Sequence, residues 1–138
     1  MSYTSTFIRI APDSTLTAAV VPEARGGKKT VAVLQYELLT EKPDHFTEQE
    51  LYFRVHCLRE GISGKQAEKD REAIWSRLFA KPQACLRASP LPKTYGWGVR
   101  YDAKGRIHLI PVGTPEYEKA CASDLKQVAA MRSKREGK

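Results

Sequence analysis

Residues 95–112 read YGWGVRYDAKGRIHLIPV and contain the clearest structural element in the sequence. Apolar residues alternate with others on both sides of the short segment 102–105, which is the pattern of two β-strands joined by a tight turn. Asp102 suits the first position of a type I turn, and Gly105 supplies the positive φ of the bulge that follows it. The stretch therefore predicts an antiparallel hairpin.

The pairing of the two strands decides which side chains share a face. With Tyr101 opposite Arg106, Gly96 and Gly98 would lie on one face of the hairpin. Two glycines on one strand face indicate that another segment approaches the backbone closely, and we expect a packed helix there. The opposite face would carry Tyr95, Trp97, Val99, Tyr101, His108 and Ile110.

Helices are predicted on both sides of the hairpin, because several stretches place apolar residues at helical spacing behind a capping residue. The best-marked start is the capping box at Thr47 and Glu50, in which each side chain accepts from the other residue's backbone N–H. Thr114 and Pro115 open the last helix with a cap and a proline in the first turn. The predicted ranges are 30–40, 47–61, 63–81 and 114–131, the last in one piece or restarting at Ser123.

Two shorter strands are predicted outside the hairpin. The apolar run 7–10 ends at a Pro-Asp-Ser turn. In Ala84–Ala88 small and apolar residues alternate with polar ones, and Pro90 ends the segment. All elements together predict a single α+β domain over residues 1–138, with a small, mainly antiparallel sheet packed against three to four helices.

A winged-helix fold is the alternative, because three helices precede the hairpin. Residues 63–81 would then form the recognition helix, and Lys104 and Arg106 would lie on the wing and contact nucleic acid. The acidic residues of that helix would repel phosphates, which weakens this alternative.

The chain is basic, with 23 Lys and Arg against 16 Asp and Glu and a formal net charge of +7. A field of this sign attracts nucleic acid, acidic lipid or phosphorylated ligands. Part of the excess lies in the C-terminal stretch from about residue 132, which we expect to fray. No segment approaches the roughly 20 apolar residues of a membrane span, and the N-terminus lacks the pattern of a signal peptide. We therefore expect a cytoplasmic protein that does not contact membranes.

Several stretches resemble a family of small, uncharacterised bacterial proteins that share a domain of unknown function. The stretches are FIRIAPD (7–13), TVAVLQYE (30–37), QACLRASPLPKTYGWG (83–98) and AMRSKR (130–135). They cover most of the chain in order, and the central stretch is specific. The resemblance implies a stand-alone bacterial protein, and it implies no reaction.

The three cysteines and three histidines give little support to metal chemistry. Cys57, Cys85 and Cys121 lack the paired spacing of a zinc or disulfide framework, and no two histidines lie three or four residues apart. We therefore expect no metal and no cofactor. Cys85 remains a candidate nucleophile, with Arg87 beside it to favour the thiolate and His108 as its base.

The predicted binding site is a polar group centred on the stretch 83–98. It combines cationic donors with an aromatic platform, a set able to hold a carboxylate, a phosphate or a stacked base. The alternative is that the aromatic residues belong to the core and that the arginine closes a structural ion pair with a glutamate of the first helix. The members are Arg87, Lys93, Tyr95, Trp97, Cys85 and Glu37.

Three functions are compatible with these residues. The preferred one is a non-enzymatic binding module for an anionic partner, either nucleic acid or a phosphorylated small molecule. A small enzyme is the second, with a pocket around Cys85, Arg87, Lys93 and Trp97. The third is a protein–protein role, in which the aromatic face of the hairpin forms a homodimer interface.

Overall fold

The computed structural model describes residues 3–132. The prediction that the basic C-terminal stretch frays concerns residues from about 132 on, and those from 133 on lie outside the described part. The described residues form an α+β fold, as predicted. A 3₁₀ turn spans Leu86–Ala88. The strands and helices are β1 (Thr6–Arg9), α1 (Val31–Glu41), α2 (Glu48–Arg59), α3 (Gly64–Lys69), α4 (Arg71–Phe79), α5 (Pro90–Lys93), β2 (Trp97–Tyr101), β3 (Ile107–Pro111), α6 (Pro115–Cys121) and β4 (Lys126–Ala129).

The four strands form one sheet in the order β3-β2-β1-β4. β1 pairs antiparallel with β2 and parallel with β4, and β2 pairs antiparallel with β3, so the sheet is mainly antiparallel as predicted. Phe7 and Ile8 of β1 are fully buried, because this strand has a neighbour on each side and a covered surface on each face.

The hairpin forms, but its predicted register is wrong by one residue. Tyr101 pairs with Ile107 instead of Arg106. The cause is the turn: Gly105 has a φ of 82°, and Asp102 bonds both Gly105 and Arg106, so one extra residue lies on the return strand. A slip of one residue exchanges the faces of every side chain on that strand. Ile107 therefore shares a face with Tyr101.

The two faces of the sheet are covered by different helices. One face packs against α1 and α2, and the other packs against α6. A Cβ added at Gly98 would lie 2.6 Å from the Phe7 ring and 2.9 Å from the Tyr117 ring of α6, so the expectation of a closely packed helix is confirmed at this glycine. The residues of the first face are Ile8, Val99, Tyr101, Ile107 and Leu109.

The predicted strand over Ala84–Ala88 is wrong. The segment is extended only up to Cys85 and then makes the 3₁₀ turn. Ser89 caps the short helix α5, and Pro90 cannot donate to a strand ladder. The backbone N–H of Leu86 bonds a side chain of α2 instead of a neighbouring strand.

The predicted helix over 63–81 breaks at Asp70, whose φ of −105° and ψ of 22° lie outside the helical region, so α3 and α4 are separate. The winged-helix alternative is therefore wrong: residues 63–81 do not form one continuous recognition helix, and the sheet contains a parallel pair. The prediction for 114–131 is correct only as far as Cys121, because residues 126–129 pair with β1 as strand β4. Within residues 3–132, no helix has the length and hydropathy needed to cross a membrane.

Candidate ligand-binding site

The aromatic members of the predicted site serve the fold. The indole Nε1 of Trp97 donates to the Val20 carbonyl oxygen at 2.8 Å, and its ring packs on Tyr36 with centroids 5.2 Å apart. The Tyr95 carbonyl accepts from the Val20 N–H at 2.8 Å. These contacts fasten the long loop before α1 to the sheet. The Trp97 ring is therefore already occupied by the protein itself, whereas the contact of Tyr95 with the loop is made by its backbone.

The predicted pair of Arg87 and Glu37 does not form. Glu37 is exposed and bonds Lys29, with 2.9 Å between Nζ and Oε1. Arg87 donates from Nε to the Ala129 carbonyl oxygen at 2.6 Å and thereby holds β4 in place. Lys93 lies half-buried at the end of α5. The structure therefore gives Arg87 a role in holding β4 and keeps it apart from Glu37.

The predicted base for Cys85 is also engaged elsewhere. His108 lies with its Nδ1 3.0 Å from Oδ2 of Asp44, whose Oδ1 accepts from Arg100 at 3.2 Å. Burial acts to raise the pKa of Asp44, but the hydrogen bonds from His108 and Arg100 outweigh it and lower that pKa. The prediction of a Cys85–His108 pair is wrong. The Cys85 sulfur instead lies 3.5 Å from the Tyr3 hydroxyl oxygen.

Lys104 and Arg106 are exposed in the hairpin turn. Their backbone N–H groups both donate to Oδ1 of Asp102, at 2.8 and 2.9 Å, so the side chains of the two residues take no part in these turn hydrogen bonds. Arg106 also pairs through its backbone with Thr47 at the start of α2. The wing that was expected to carry them is an ordinary hairpin turn.

One cavity, the Arg59 groove, lies between α1, α2 and the segment 83–90. Its volume is about 300 Å³, within the size range of small-molecule sites. Its walls are mostly apolar, and none of the described residues that line it is acidic. The lining residues are Val31, Gln35, Tyr52, Val55, His56, Arg59, Leu78, Gln83, Ala84, Cys85, Ala88, Ser89 and Pro90.

The floor of the Arg59 groove contains a buried amide. Gln35 is only 4% exposed, and its Oε1 accepts from the Ser89 hydroxyl at 2.8 Å. The Ser89 oxygen in turn accepts from the Leu91 N–H at 3.2 Å, which fixes the direction of the chain of bonds. Among residues 3–132 the amide –NH₂ of Gln35 has no acceptor, so both of its N–H groups are available to the groove.

The basic side chains of the groove come from the last turn of α2. His56 and Arg59 lie one turn apart and both line it. Arg59 is in no salt bridge with any residue of 3–132, so its guanidinium is not neutralised there. Two basic groups, a pair of amide N–H donors and no carboxylate together favour an anion.

A second cavity, the Glu48 cleft, lies on the other side of the same segment and has a volume of about 560 Å³. Glu48 is 3% exposed, although it is the first residue of α2. Its Oε2 accepts from the Leu86 N–H at 2.7 Å and from the Tyr101 hydroxyl at 3.3 Å. The lining residues are Tyr3, Glu48, Gln49, Tyr52, Phe79, Lys81, Pro82, Gln83 and Cys85.

Burial controls the titration of this cleft. It raises the pKa of Glu48, against the hydrogen bonds from Leu86, Tyr101 and Tyr52 that favour the carboxylate. Burial and then the charge of Glu48 raise the pKa of Tyr52 and of Tyr101, so both phenols stay protonated at neutral pH. Burial and the contact with Cys85 raise the pKa of Tyr3. The cleft thus holds one carboxyl group among neutral phenols.

The Arg59 groove and the Glu48 cleft share three lining residues: Tyr52, Gln83 and Cys85. The Tyr52 hydroxyl donates to the Ala84 carbonyl oxygen at 2.6 Å, which holds the segment against α2. Of the predicted site residues, only Cys85 lines these cavities. Sequence reasoning missed Gln35, Glu48 and Arg59, because a buried glutamine and two charges at helix ends carry no local signal of a cavity.

A third cavity, of about 450 Å³, lies between α2 and the α3–α4 pair. Its charges compensate each other, because Arg54 and Arg71 stand against Glu50 and Glu68. The guanidinium of Arg71 already stacks on Phe53, 4.9 Å from the ring centroid. Among the described residues, no group of three or more His, Cys, Asp and Glu side chains is arranged to hold a metal ion.

The fold and the two adjoining cavities define a small α+β protein with a ligand-sized site on one side of α2. Residues 1–136 match a family of unknown function (DUF6157), and the chain belongs to this family. No curated protein and no solved structure matches the chain. Membership of a family of unknown function, which the sequence indicated, is thereby confirmed.

Proposed function

We propose that the protein is a binding module for a small anionic organic molecule, which it holds in the Arg59 groove. The observation that carries the proposal is the buried Gln35 amide, whose –NH₂ has no acceptor among the described residues. Within residues 3–132 no buried side-chain nitrogen or oxygen lacks a partner, so this –NH₂ is open to the groove, where an anionic oxygen can accept from it. The Arg59 guanidinium adds positive charge at the same place, and the His56 ring adds a further polar group.

The groove also restricts the rest of the ligand. A volume of about 300 Å³ admits a small molecule and excludes a nucleic-acid helix. Val31, Val55 and Leu78 make the walls apolar, so a ligand with a hydrocarbon part would bury it there. A carboxylate or a phosphate ester on a short apolar body fits both properties.

The test is isothermal titration calorimetry with short-chain alkyl carboxylates and the corresponding alkyl phosphates. We expect saturable binding that Arg59→Gln weakens by about tenfold, the loss of one charge-assisted hydrogen bond. Arg54→Gln is the matched control, because Arg54 is exposed on the same helix but lines a different cavity. Equal weakening by both substitutions, or no binding of any anion to the wild type, would refute the proposal.

A nucleic-acid partner would use a different surface. Lys104 and Arg106 are the exposed cations of the hairpin turn, and neither lines the Arg59 groove. Changing both to Glu is therefore expected to leave the affinity for small anions unchanged. If the double reversal abolishes binding of a short DNA or RNA that the wild type binds in a salt-dependent manner, the anionic partner is a nucleic acid instead.

The aromatic face of the hairpin is an unsuitable homodimer surface. Val99 and Tyr101 on this face are fully buried beneath helices of the same chain. Trp97, at the end of the same strand, packs on Tyr36 of α1. A dimer would have to use another surface, so Trp97→Ala is expected to lower stability without changing the mass of the particle in light scattering.

A further inference from the structure

We infer that the Glu48 cleft is an ammonium subsite, so that the ligand is a zwitterion with its positive end beside Glu48 and its negative end in the Arg59 groove. The ammonium subsite rests on the contacts of the cleft alone. The zwitterion rests also on the function proposed above.

The first argument is the buried carboxyl group. Glu48 is 3% exposed, and yet its side chain lines a cavity of about 560 Å³. The Leu86 N–H and the Tyr101 hydroxyl both donate to Oε2, which is the arrangement that supports a carboxylate. Removal from water opposes the charge of this group. An ammonium in the cleft would offset that cost, because a buried charge is stabilised by an opposite charge at short range.

The second argument is the aromatic lining. Tyr3, Tyr52 and Phe79 line the cleft together with Glu48, and the Tyr3 ring is itself held edge-on against Tyr101 with centroids 5.3 Å apart. Aromatic faces attract ammonium groups through their quadrupole, and several rings around one carboxylate are a typical ammonium site. The Arg59 groove, by comparison, has one aromatic lining residue and no acid.

The third argument is continuity. Tyr52, Gln83 and Cys85 line both cavities, so the two cavities meet at this segment, and a ligand long enough to pass around these side chains would place one end in each. Lys81 stands at the rim of the Glu48 cleft and is exposed. It forms no salt bridge with any described residue, Glu48 included. Lys81 therefore does not pair with the acid.

The experiment is calorimetric titration with ω-aminocarboxylates of increasing chain length, each compared with the alkylammonium and the alkylcarboxylate of the same length. We expect one length to bind at least roughly tenfold more tightly than either monofunctional probe. Glu48→Gln should remove that gain and leave alkylcarboxylate binding unchanged. The substituted amide keeps an acceptor oxygen for the Leu86 N–H, which makes this the mildest change at the position.

Arg59→Gln is the reciprocal variant, expected to weaken the alkylcarboxylate and to spare the alkylammonium. Lys81→Glu changes only the exposed rim and should strengthen alkylammonium binding several-fold, which keeps the test decisive if Glu48→Gln fails to fold. Carboxylate binding with no gain from an added amine would overturn the ammonium subsite and leave the proposed function standing. Alkylammonium binding without any anion binding would support the ammonium subsite and overturn the proposed function.

Discussion

The Arg59 groove and the Glu48 cleft are separated by the same short segment of chain, and their charges are opposite. Glu48, Tyr52, His56 and Arg59 follow one another along one stripe of α2, with the acid in the first turn and the bases in the last. This order also suits the helix dipole, so the same residues would stabilise an isolated helix. These side chains of α2 line two different cavities, and not one, because the segment 83–90 lies across the helix between them.

The largest expected effect comes from removing the anchor of that segment. Leu86 is 1% exposed, and Leu86→Ala should lower the free energy of unfolding by about 2–5 kcal/mol through the lost burial and the cavity left behind. Because the segment separates the two cavities, both affinities should fall together. Urea unfolding followed by circular dichroism measures the loss. The exposed Glu23 provides the control, and Glu23→Ala should change stability by less than about 0.5 kcal/mol.

A substitution that lowers stability on the other face of the sheet should leave the affinities of both cavities unchanged. Gly98→Ala places a methyl group 2.6 Å from the Phe7 ring and 2.9 Å from the Tyr117 ring, which should cost about 1–3 kcal/mol. Both cavities lie on the opposite side, so the affinities at a temperature where the variant is folded should equal those of the wild type. A selective loss of anion binding in this variant would show that the groove depends on α6.

Glu48→Gln tests whether the acid of the Glu48 cleft makes the stability of the protein depend on pH. The raised pKa of Glu48 means that the folded state keeps its proton to a higher pH than the unfolded state does. Stability therefore falls as pH rises from the unfolded pKa through the folded pKa, and Gln does not show this fall. The phenols facing Glu48, Tyr52 and Tyr101, do not titrate in this window because their pKa values are also raised.

The stability of the Glu48→Gln variant relative to the wild type should therefore increase as the pH rises from about 4 to neutrality. We expect this change in the free energy of unfolding to be smaller than the loss caused by Leu86→Ala. Denaturant midpoints at several pH values give the measurement. A constant difference between the two proteins across that range would contradict the raised pKa of Glu48.

The smallest effect is expected at Cys85, which lines both cavities. Its sulfur contacts the Tyr3 hydroxyl at 3.5 Å, a weak interaction, so Cys85→Ser should change both affinities by less than about twofold. The enzyme hypothesis makes the opposite prediction, because it requires a reactive thiol at this position. If iodoacetamide alkylates Cys85 much faster in the folded protein than in the unfolded protein, the result would favour the enzyme hypothesis.

The parts of the fold that the sequence predicted correctly depend on neighbours within a few residues. The capping box at Thr47 and Glu50 is present with both of its hydrogen bonds, and Thr30 and Ser63 cap their helices as expected. The turn at Gly105 has the predicted positive φ. In the candidate site the same local reasoning reached only Cys85.

The wrong predictions concern interactions between residues far apart in the chain. Residues 126–129 have a helical pattern of apolar side chains, but β1 offers an unpaired edge, and parallel pairing with it satisfies their backbone groups. Ala84–Ala88 alternates like a strand, but its Leu86 N–H finds the Glu48 carboxylate. In both places a partner supplied by the tertiary structure outweighed the local preference.

The residues alone predicted the α+β class, the hairpin turn, four of the helix starts and the excess of positive charge, because caps, turns and composition act locally or as simple sums. Only the tertiary structure decided where a ligand could bind. Gln35 meets Ser89 across 54 residues and Glu48 meets Leu86 across 38, and no pattern in either stretch encodes the other. A cavity is the space between such partners, and it exists only once the chain has brought them together.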